Sequence, residues 1–371
     1  MISYLVVFGV SAGVAFVTTP LVRRFSVRVG AIAHPTDRAV HLEPTPTMGG
    51  LAMFLGMLAG LGVSRLLPFF DELSRTTSDP VATLVATSAI VLVGVFDDLK
   101  GVTALGKLTG QVFAAGLMIL GGVQLLYFLF PGQGVLVLSA DLAVPFTIVW
   151  VLAIVNAVNL IDGLDGLASG MVTIAAISFF VYMERFPGIA GGEASGAALV
   201  SAIAAGVSIG FLPWNFNPAR IFMGDTGSML LGMLLAVATV SGVGRNPYPP
   251  TGGDLAVIAI PIFVPLLVLA IPILDVLLAI VRRVRRGQRI AHADKEHIHH
   301  RLLDIGHGYR KAVLLMYLWS ALISGSALAV AFIDSRLVAG VIVGTAALVL
   351  LGTLLPRLIS GNGRRWGREV T

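Results

Sequence analysis

The sequence predicts an all-α fold: a polytopic integral membrane bundle of about eleven transmembrane helices, N-terminus outside and C-terminus inside. Three observations carry this expectation. The 371 residues are 56% hydrophobic with a mean hydropathy of +0.92, too apolar for a soluble globule. The apolar residues form long unbroken runs near the roughly 20 residues that a helical span needs, not the short alternating segments of a barrel. The basic residues gather on one side of the resulting topology.

The runs predict spans at roughly 2–22, 46–67, 81–96, 107–127, 144–161, 168–183, 197–213, 226–243, 254–281, 312–332 and 337–356. The first has no basic residue before it and RRFSVR after it. A secretory signal has the opposite charge order and a shorter core, so this is a retained span with its N-terminus outside. The second contains GMLAGLG, one of many places where the 43 glycines sit inside apolar runs and let helix backbones approach closely. The ninth holds Pro261, Pro265 and Pro272, which predicts a kinked or broken helix. Residues 1–356 read as one transmembrane domain and 357–371 as a basic cytoplasmic tail.

With the N-terminus outside, twenty Lys and Arg residues fall on inside segments and five do not: Arg65, Arg75, Arg185, Arg245 and Arg336. That bias marks the cytoplasmic face. All seven histidines fall on the same side: His34, His41, His292, His297, His299, His300 and His307. Absence of cysteine excludes disulfides and thiolate metal sites. The basic pI near 9.8 is explained by cytoplasmic loops, and no nucleic-acid partner is expected. Ionisable groups are nearly absent at mid-span, which weighs against a transporter. Asp275 is the nearest case, and pairing with the RRVRR run that follows it is the plain reading.

Four polar patches carry the chemistry. VFDDLKGVTALGK (95–107) ends the third span with Asp97 and Asp98. Two adjacent ionised carboxylates need a cation, from a metal or Lys100, unless the motif is a solvated turn that stops a helix. In NAVNLIDGLDGLASG (156–170), Asn159, Asp162 and Asp165 are spaced to share one face of a helical turn, and Gly163 and Gly166 let a ligand approach the backbone. A cap would explain Asp165 alone. In WNFNPARIFMGDTGSMLLG (214–232), Asp225 and Thr226 begin a long apolar helix. Its N–H groups favour an anion such as a phosphate oxygen, and Asp225 is tolerated there if a divalent cation bridges the two, although either residue can serve as an ordinary cap. HADKEHIHHRL (292–302) follows the basic run. Its spacing does not match a zinc site; His and Arg side by side suit a pyrophosphate, with a solvated loop or a lipid-headgroup patch as alternatives. Carboxylates prefer Mg²⁺ bridged to substrate phosphates, so the inventory points to phosphate transfer at a cytoplasmic site on an intramembrane scaffold.

These motifs, from TPTMGG (45–50) to HIHHRL (297–302), resemble the polyprenyl-phosphate N-acetylhexosamine-1-phosphate transferases. His299, His300 and Arg301, preceded by His297, look like the UDP-GlcNAc:polyprenyl-phosphate GlcNAc-1-phosphate transferase branch rather than the phospho-N-acetylmuramoyl-pentapeptide transferase branch, which carries three consecutive histidines. The first inside loop departs from the family pattern: Ala33 and Thr36 stand where Asp and Asn are expected, and Ala39 replaces Lys. TPTMGG itself is closer to the muramoyl branch. The resemblance implies a bacterial inner-membrane enzyme that transfers GlcNAc-1-phosphate from UDP-GlcNAc to undecaprenyl or decaprenyl phosphate and releases UMP. The alternatives are the muramoyl-pentapeptide reaction or, outside enzymes, a nucleotide-sugar or lipid-linked-sugar transporter.

The resemblance also implies residue roles. Asp97, Asp98, Asp162 and Asp225 would be catalytic, with Asp225 and Asp98 on Mg²⁺ (Mn²⁺ as substitute). Asp97, Lys100 and Lys107 would meet the lipid phosphate. Asn159, Asp165, Asn215, Phe222, His297, His299, His300 and Arg301 would bind the nucleotide sugar, with Phe222 under the uracil. Dimers are common in that family, so a homodimer is an expectation of the same kind.

Overall fold

The computed structural model describes residues 1–33, 44–130, 134–185, 194–243, 308–332 and 344–345. Ten helices carry the described chain: α1 (Ile2–Val29), α2 (Gly50–Ser64), α3 (Asp71–Thr76), α4 (Asp79–Lys100), α5 (Ala104–Leu120), α6 (Ala140–Ile161), α7 (Leu167–Arg185), α8 (Gly196–Asn215), α9 (Gly224–Val243) and α10 (Tyr309–Phe332). Among the described residues, seven are long and apolar enough to cross a membrane. An eighth span results if α2 and the helical stretch Pro68–Thr76 count as one, bent by 88°. α5 is apolar but only 17 residues long. The run 254–281 with Pro261, Pro265, Pro272 and Asp275, most of 337–356, and the tail 357–371 lie outside the described residues.

Three expectations are amended. The second run is not one straight span, because the helix ends at Ser64, with Arg65 as its cap, and the chain restarts in a 3-10 turn with Pro68 in its first position. A proline has no N–H to continue a helix but fits a first turn. The fourth run ends early: α5 stops at Leu120 and Gly122 follows with φ +83°. Beyond it, β3 (Tyr127–Phe130) pairs antiparallel with β4 (Gly134–Val137). Aromatic and β-branched residues on either side of a Pro-Gly segment favour such a hairpin. A second small pair joins β1 (Ile32–Ala33) to β2 (Thr45–Pro46), so the helical bundle is not strictly all-α.

α9 is the axis of the bundle. It packs against α2, α4, α6 and α8, and every residue from Thr226 to Val240 is buried. A helix apolar on all sides has no face to offer water and belongs in the centre. Small residues bring its neighbours close. A Cβ on Gly94 of α4 would come within 2.5 Å of the Thr226 Cα, and one on Gly50 of α2 would meet the Gly227 backbone. The rim is different: α1 exposes Ile2, Leu5, Val17 and Leu21, and α5 exposes Leu105, Phe113 and Leu120. Such rims suit lipid.

The up-and-down course sorts the loops onto two ends. At one end Arg23 Nε donates to the Arg220 carbonyl, Gly50 N to the Met223 carbonyl and Arg310 Nε to the Asn217 carbonyl. At the other end the Tyr4 hydroxyl accepts from Ser195 N at 2.8 Å, and Tyr4 packs edge-on against Phe69, Phe70 and Phe180. Asp97, Asp98, Asp162, Asp165 and Asp225 all lie at the first end.

Candidate active site

The site is built around the start of α9. Phe222 N donates to the Pro46 carbonyl at 2.8 Å, while Gly49 N and Gly50 N donate to the carbonyls of Phe222 and Met223, both at 2.9 Å. These bonds stitch the approach to α9 onto the start of α2. Gly224 then takes φ +68°, where an added Cβ would run into the Asp98 carboxylate and the Thr47 hydroxyl. Glycine alone meets both demands.

Asp98, reaching across from α4, caps α9. It accepts from Asp225 N at 2.9 Å, Thr226 N at 3.1 Å and Thr226 Oγ1 at 2.6 Å. The anion expected at this helix terminus was a phosphate oxygen; the anion found is a side chain of the protein. A buried carboxylate satisfies orphan N–H groups and the helix dipole without any ligand. Neither Asp225 nor Thr226 caps the helix with its own side chain, which leaves Asp225 free for other partners.

Those partners come from two more helices. Lys107 Nζ, on the first turn of α5, lies 2.5 Å from Asp225 Oδ2 and 2.6 Å from Asp97 Oδ2. Asn159 Nδ2, on the last turn of α6, donates to Asp225 and, at 2.8 Å, to Ser228 Oγ. Asp97 also accepts from Val102 N at 2.6 Å. Of the two adjacent aspartates, Asp97 therefore takes its cation from Lys107, while Asp98 is held by the N–H groups that open α9. Lys100 is exposed at the end of α4.

The segment 162–166 is a non-helical turn, where the spacing suggested a helical one. α6 ends at Ile161, Asp162 follows as its C-cap, and Gly166 takes φ +80°. Asn159, Asp162 and Asp165 nevertheless reach one cavity, because the turn folds back over it. Asn215 fixes that turn: its Oδ1 accepts from Gly166 N at 3.1 Å and Ser169 Oγ at 3.2 Å, and its Nδ2 donates to the Ile221 carbonyl at 3.2 Å. Asp165 Oδ2 accepts from Asn217 Nδ2 at 2.9 Å and Ala219 N at 3.0 Å. Two tyrosines of α10 brace the turn. The Tyr309 hydroxyl accepts from Asp165 N at 2.7 Å, and the Tyr317 hydroxyl donates to the Gly166 carbonyl. Sequence reasoning missed Tyr309, Tyr317, Asn217 and Ser228; within their apolar or loop surroundings nothing in spacing or charge marks them.

The resulting cavity, of about 380 Å³, is lined by Asp98, Asn159, Asp162, Asp165, Phe222 and Asp225, together with Asn215, Tyr309 and Ala33. Ala33 puts a methyl on the wall where the resemblance expects an aspartate. The Asp162 carboxylate has no hydrogen-bond or ion-pair partner among the described residues. Burial, followed by the charges of Asp98 and Asp165, pushes its carboxyl well above the usual carboxylate range. Four carboxylates line the cavity and Asp97 stands next to Lys107, the one ammonium within ion-pair distance of any of the five among the described residues. Such an imbalance calls for more positive charge.

Mg²⁺ fits this donor set in one form. Among the described residues, no three His, Asp or Glu side chains stand close enough to cage a metal by themselves. Magnesium is ordinarily held by one or two carboxylates, with waters and substrate phosphates completing the shell. The carboxylates of Asp162 and Asp225, both on the cavity wall, would supply that kind of half-shell. Mn²⁺ would accept the same oxygens. His297, His299, His300 and Arg301 lie outside the described residues.

Residues 80–243 match the glycosyl transferase family 4. The chain is 39% identical over 359 residues to the decaprenyl-phosphate N-acetylglucosaminephosphotransferase of Mycobacterium tuberculosis (strain ATCC 25618 / H37Rv), covering 95% of this chain and 88% of that protein. It is 35% identical over 328 residues to a probable undecaprenyl-phosphate N-acetylglucosaminyl 1-phosphate transferase of Bacillus subtilis (strain 168), covering 88% and 85%. The phospho-N-acetylmuramoyl-pentapeptide-transferase of Rhodococcus opacus (strain B4) is 34% identical, but the match covers only 63% of this chain and 74% of that protein.

Proposed function

This chain belongs to glycosyl transferase family 4, together with the polyprenyl-phosphate GlcNAc-1-phosphate transferases it matches over nearly its whole length, and from that premise we propose that it catalyses their reaction. GlcNAc-1-phosphate passes from UDP-GlcNAc to a polyprenyl phosphate. A lipid phosphate oxygen forms a bond to the β-phosphorus, the bond from that phosphorus to the α–β bridging oxygen breaks, and UMP leaves. The observation that carries this reading is the convergence of Asp98, Asp162 and Asp225, from three separate segments, on one cavity at one end of the bundle. A muramoyl-pentapeptide donor is disfavoured by the shorter match to that branch.

Phosphoryl transfer of this kind is positioning and charge neutralisation more than covalent chemistry. Asp162 and Asp225 would hold Mg²⁺, which would supply charge neutralisation to the transferring and leaving groups. Lys107 holds Asp225 in place and presents an ammonium beside Asp97 for the incoming lipid phosphate. Asp97 is already engaged by Lys107 and Val102, and a phosphate monoester is mostly dianionic at pH 7, so Asp97 orients rather than deprotonates. Asp98 fixes the start of α9 and thereby Asp225. Phe222 offers an aromatic face for the uracil, with Asp165 beside it. Asn215, with its amide committed to the 162–166 turn, acts by positioning Asp165. His297, His299, His300 and Arg301 complete the pyrophosphate grip in this reading.

We place the catalytic end at the cytoplasmic face of a bacterial inner membrane. Arg23, Arg24, Arg28, Lys100, Lys107, Arg220, Arg310 and Lys311 share that end, while Arg65, Arg75 and Arg185 lie at the other. Eleven spans, an outside N-terminus and a homodimer belong to the same proposal. Purified protein given sugar-labelled UDP-GlcNAc, Mg²⁺ and polyprenyl phosphate should release UMP and yield lipid-linked label. UDP-MurNAc-pentapeptide in its place should not. Absence of UMP with either donor would favour a carrier.

A further inference from the structure

α5 presents a mechanical problem. It carries Lys107, the ammonium between Asp97 and Asp225, yet it is the short helix at the edge of the bundle. It packs chiefly on α4 and α6, and it exposes Leu105, Phe113 and Leu120. Its other buried residues are Ala114, Ala115 and Met118, whose contacts have no direction and allow a helix to slide or turn. One buried residue on it is polar. Gln111 has 0% exposure, one helical turn below Lys107.

Gln111 meets Asn156, which lies one turn below Asn159 on α6. Asn156 Nδ2 donates to Gln111 Oε1 at 2.7 Å and to the Leu152 carbonyl at 2.8 Å. Gln111 Nε2 returns a bond to Asn156 Oδ1 at 3.4 Å and contacts Met229 Sδ at 3.6 Å. Met229 is one turn below Asp225 on α9. The amide pair therefore touches all three helices that supply the Lys107, Asn159 and Asp225 cluster, one layer deeper in each. Polar side chains buried inside a membrane bundle are expensive, and two amides that satisfy each other have one relative placement of their helices.

We propose that Gln111 and Asn156 are positioning residues for the transfer reaction, locking the height and rotation of α5 so that the Lys107 ammonium stays between Asp97 and Asp225. This rests on the proposed reaction. Substrate binding elsewhere in the cavity does not depend on the lock, so its loss acts on turnover. A displacement of about 1 Å at a reacting centre lowers rates by about a hundredfold at the extreme.

The test compares the full-length wild type in detergent with Gln111→Met, Asn156→Ser, and the exchange of both residues (Gln111→Asn with Asn156→Gln). UMP release is measured over a range of UDP-GlcNAc, alongside the unfolding midpoint. Each single variant should lose tenfold or more in kcat, with KM for UDP-GlcNAc within twofold of wild type. The exchange, which restores one amide on each helix, should recover most of kcat. A wild-type kcat in either single variant overturns the lock, as does a loss that merely follows a falling unfolding midpoint and is not recovered by the exchange. If one single variant does not fold, the other and the exchange decide. An inactive wild type would refute the reaction itself, which is a separate outcome.

Discussion

Replacing Lys107 with methionine removes the ammonium and keeps most of the stem. Asp97 and Asp225 each have an oxygen at 2.6 and 2.5 Å from that nitrogen, so those oxygens stand no more than about 5 Å apart. At an effective dielectric of about 20, two such charges repel by about 3 kcal/mol once the cation is gone. The three side chains are 10–24% exposed, so solvent trims this figure rather than cancelling it. Asp225 escapes by swinging away, which takes its oxygen from Asn159, or by taking a proton, which removes its charge. About 3 kcal/mol corresponds to roughly a hundredfold fall in the active arrangement. UMP release by purified Lys107→Met should drop accordingly, while Lys107→Arg, which retains the charge on a bulkier head, should fall in between. Turnover of Lys107→Met within threefold of wild type would refute the charge argument.

Three other outcomes are expected. Asp225→Asn should abolish divalent-dependent formation of lipid-linked GlcNAc and leave the protein folded in detergent, measured by product label and size exclusion; substantial turnover would rule out Asp225 as a metal ligand. Asp162 has a raised carboxyl pKa, so the folded state binds its proton more tightly than the unfolded chain does. Stability without divalent ions should therefore decline as pH rises from the unfolded value, near 3.8, through the folded one. Asp162→Asn should unfold at a higher temperature than wild type at neutral pH in EDTA, and the gap should close in acid; equal midpoints at neutral pH would count against it. Gly224→Ala forces a left-handed φ of +68° on a side chain that also meets Asp98 and Thr47. The conformational part alone costs about 1–2 kcal/mol, so the unfolding midpoint and activity should fall together.

Much of the bundle was legible in the sequence because hydropathy is a local sum. Nine of the expected spans coincide with helices, and they fail locally where a specific residue intervenes: Pro68 at the bend after α2, Gly122 at the end of α5. The hairpin Tyr127–Val137 was missed because aromatic and β-branched residues raise the apolar score of a span and a strand alike. The site was legible as an inventory. Asp98, Asn159, Asp162, Asp165 and Asp225, singled out by motif, and Phe222, implied by the resemblance, line one cavity.

The sequence alone determined that this is a membrane-embedded protein whose few carboxylates gather in short polar motifs between apolar runs, because composition and the alternation of loops depend only on order along the chain. Which carboxylate meets which partner was decided by the tertiary structure. Asp98 caps a helix 128 positions away, Lys107 rather than Lys100 reaches Asp225 across 118 positions, and Asn215 supports a turn instead of standing free for a ligand. Those pairings depend on the depth and rotation of packed helices. A turn of a few tens of degrees would exchange one partner for another without altering a single letter.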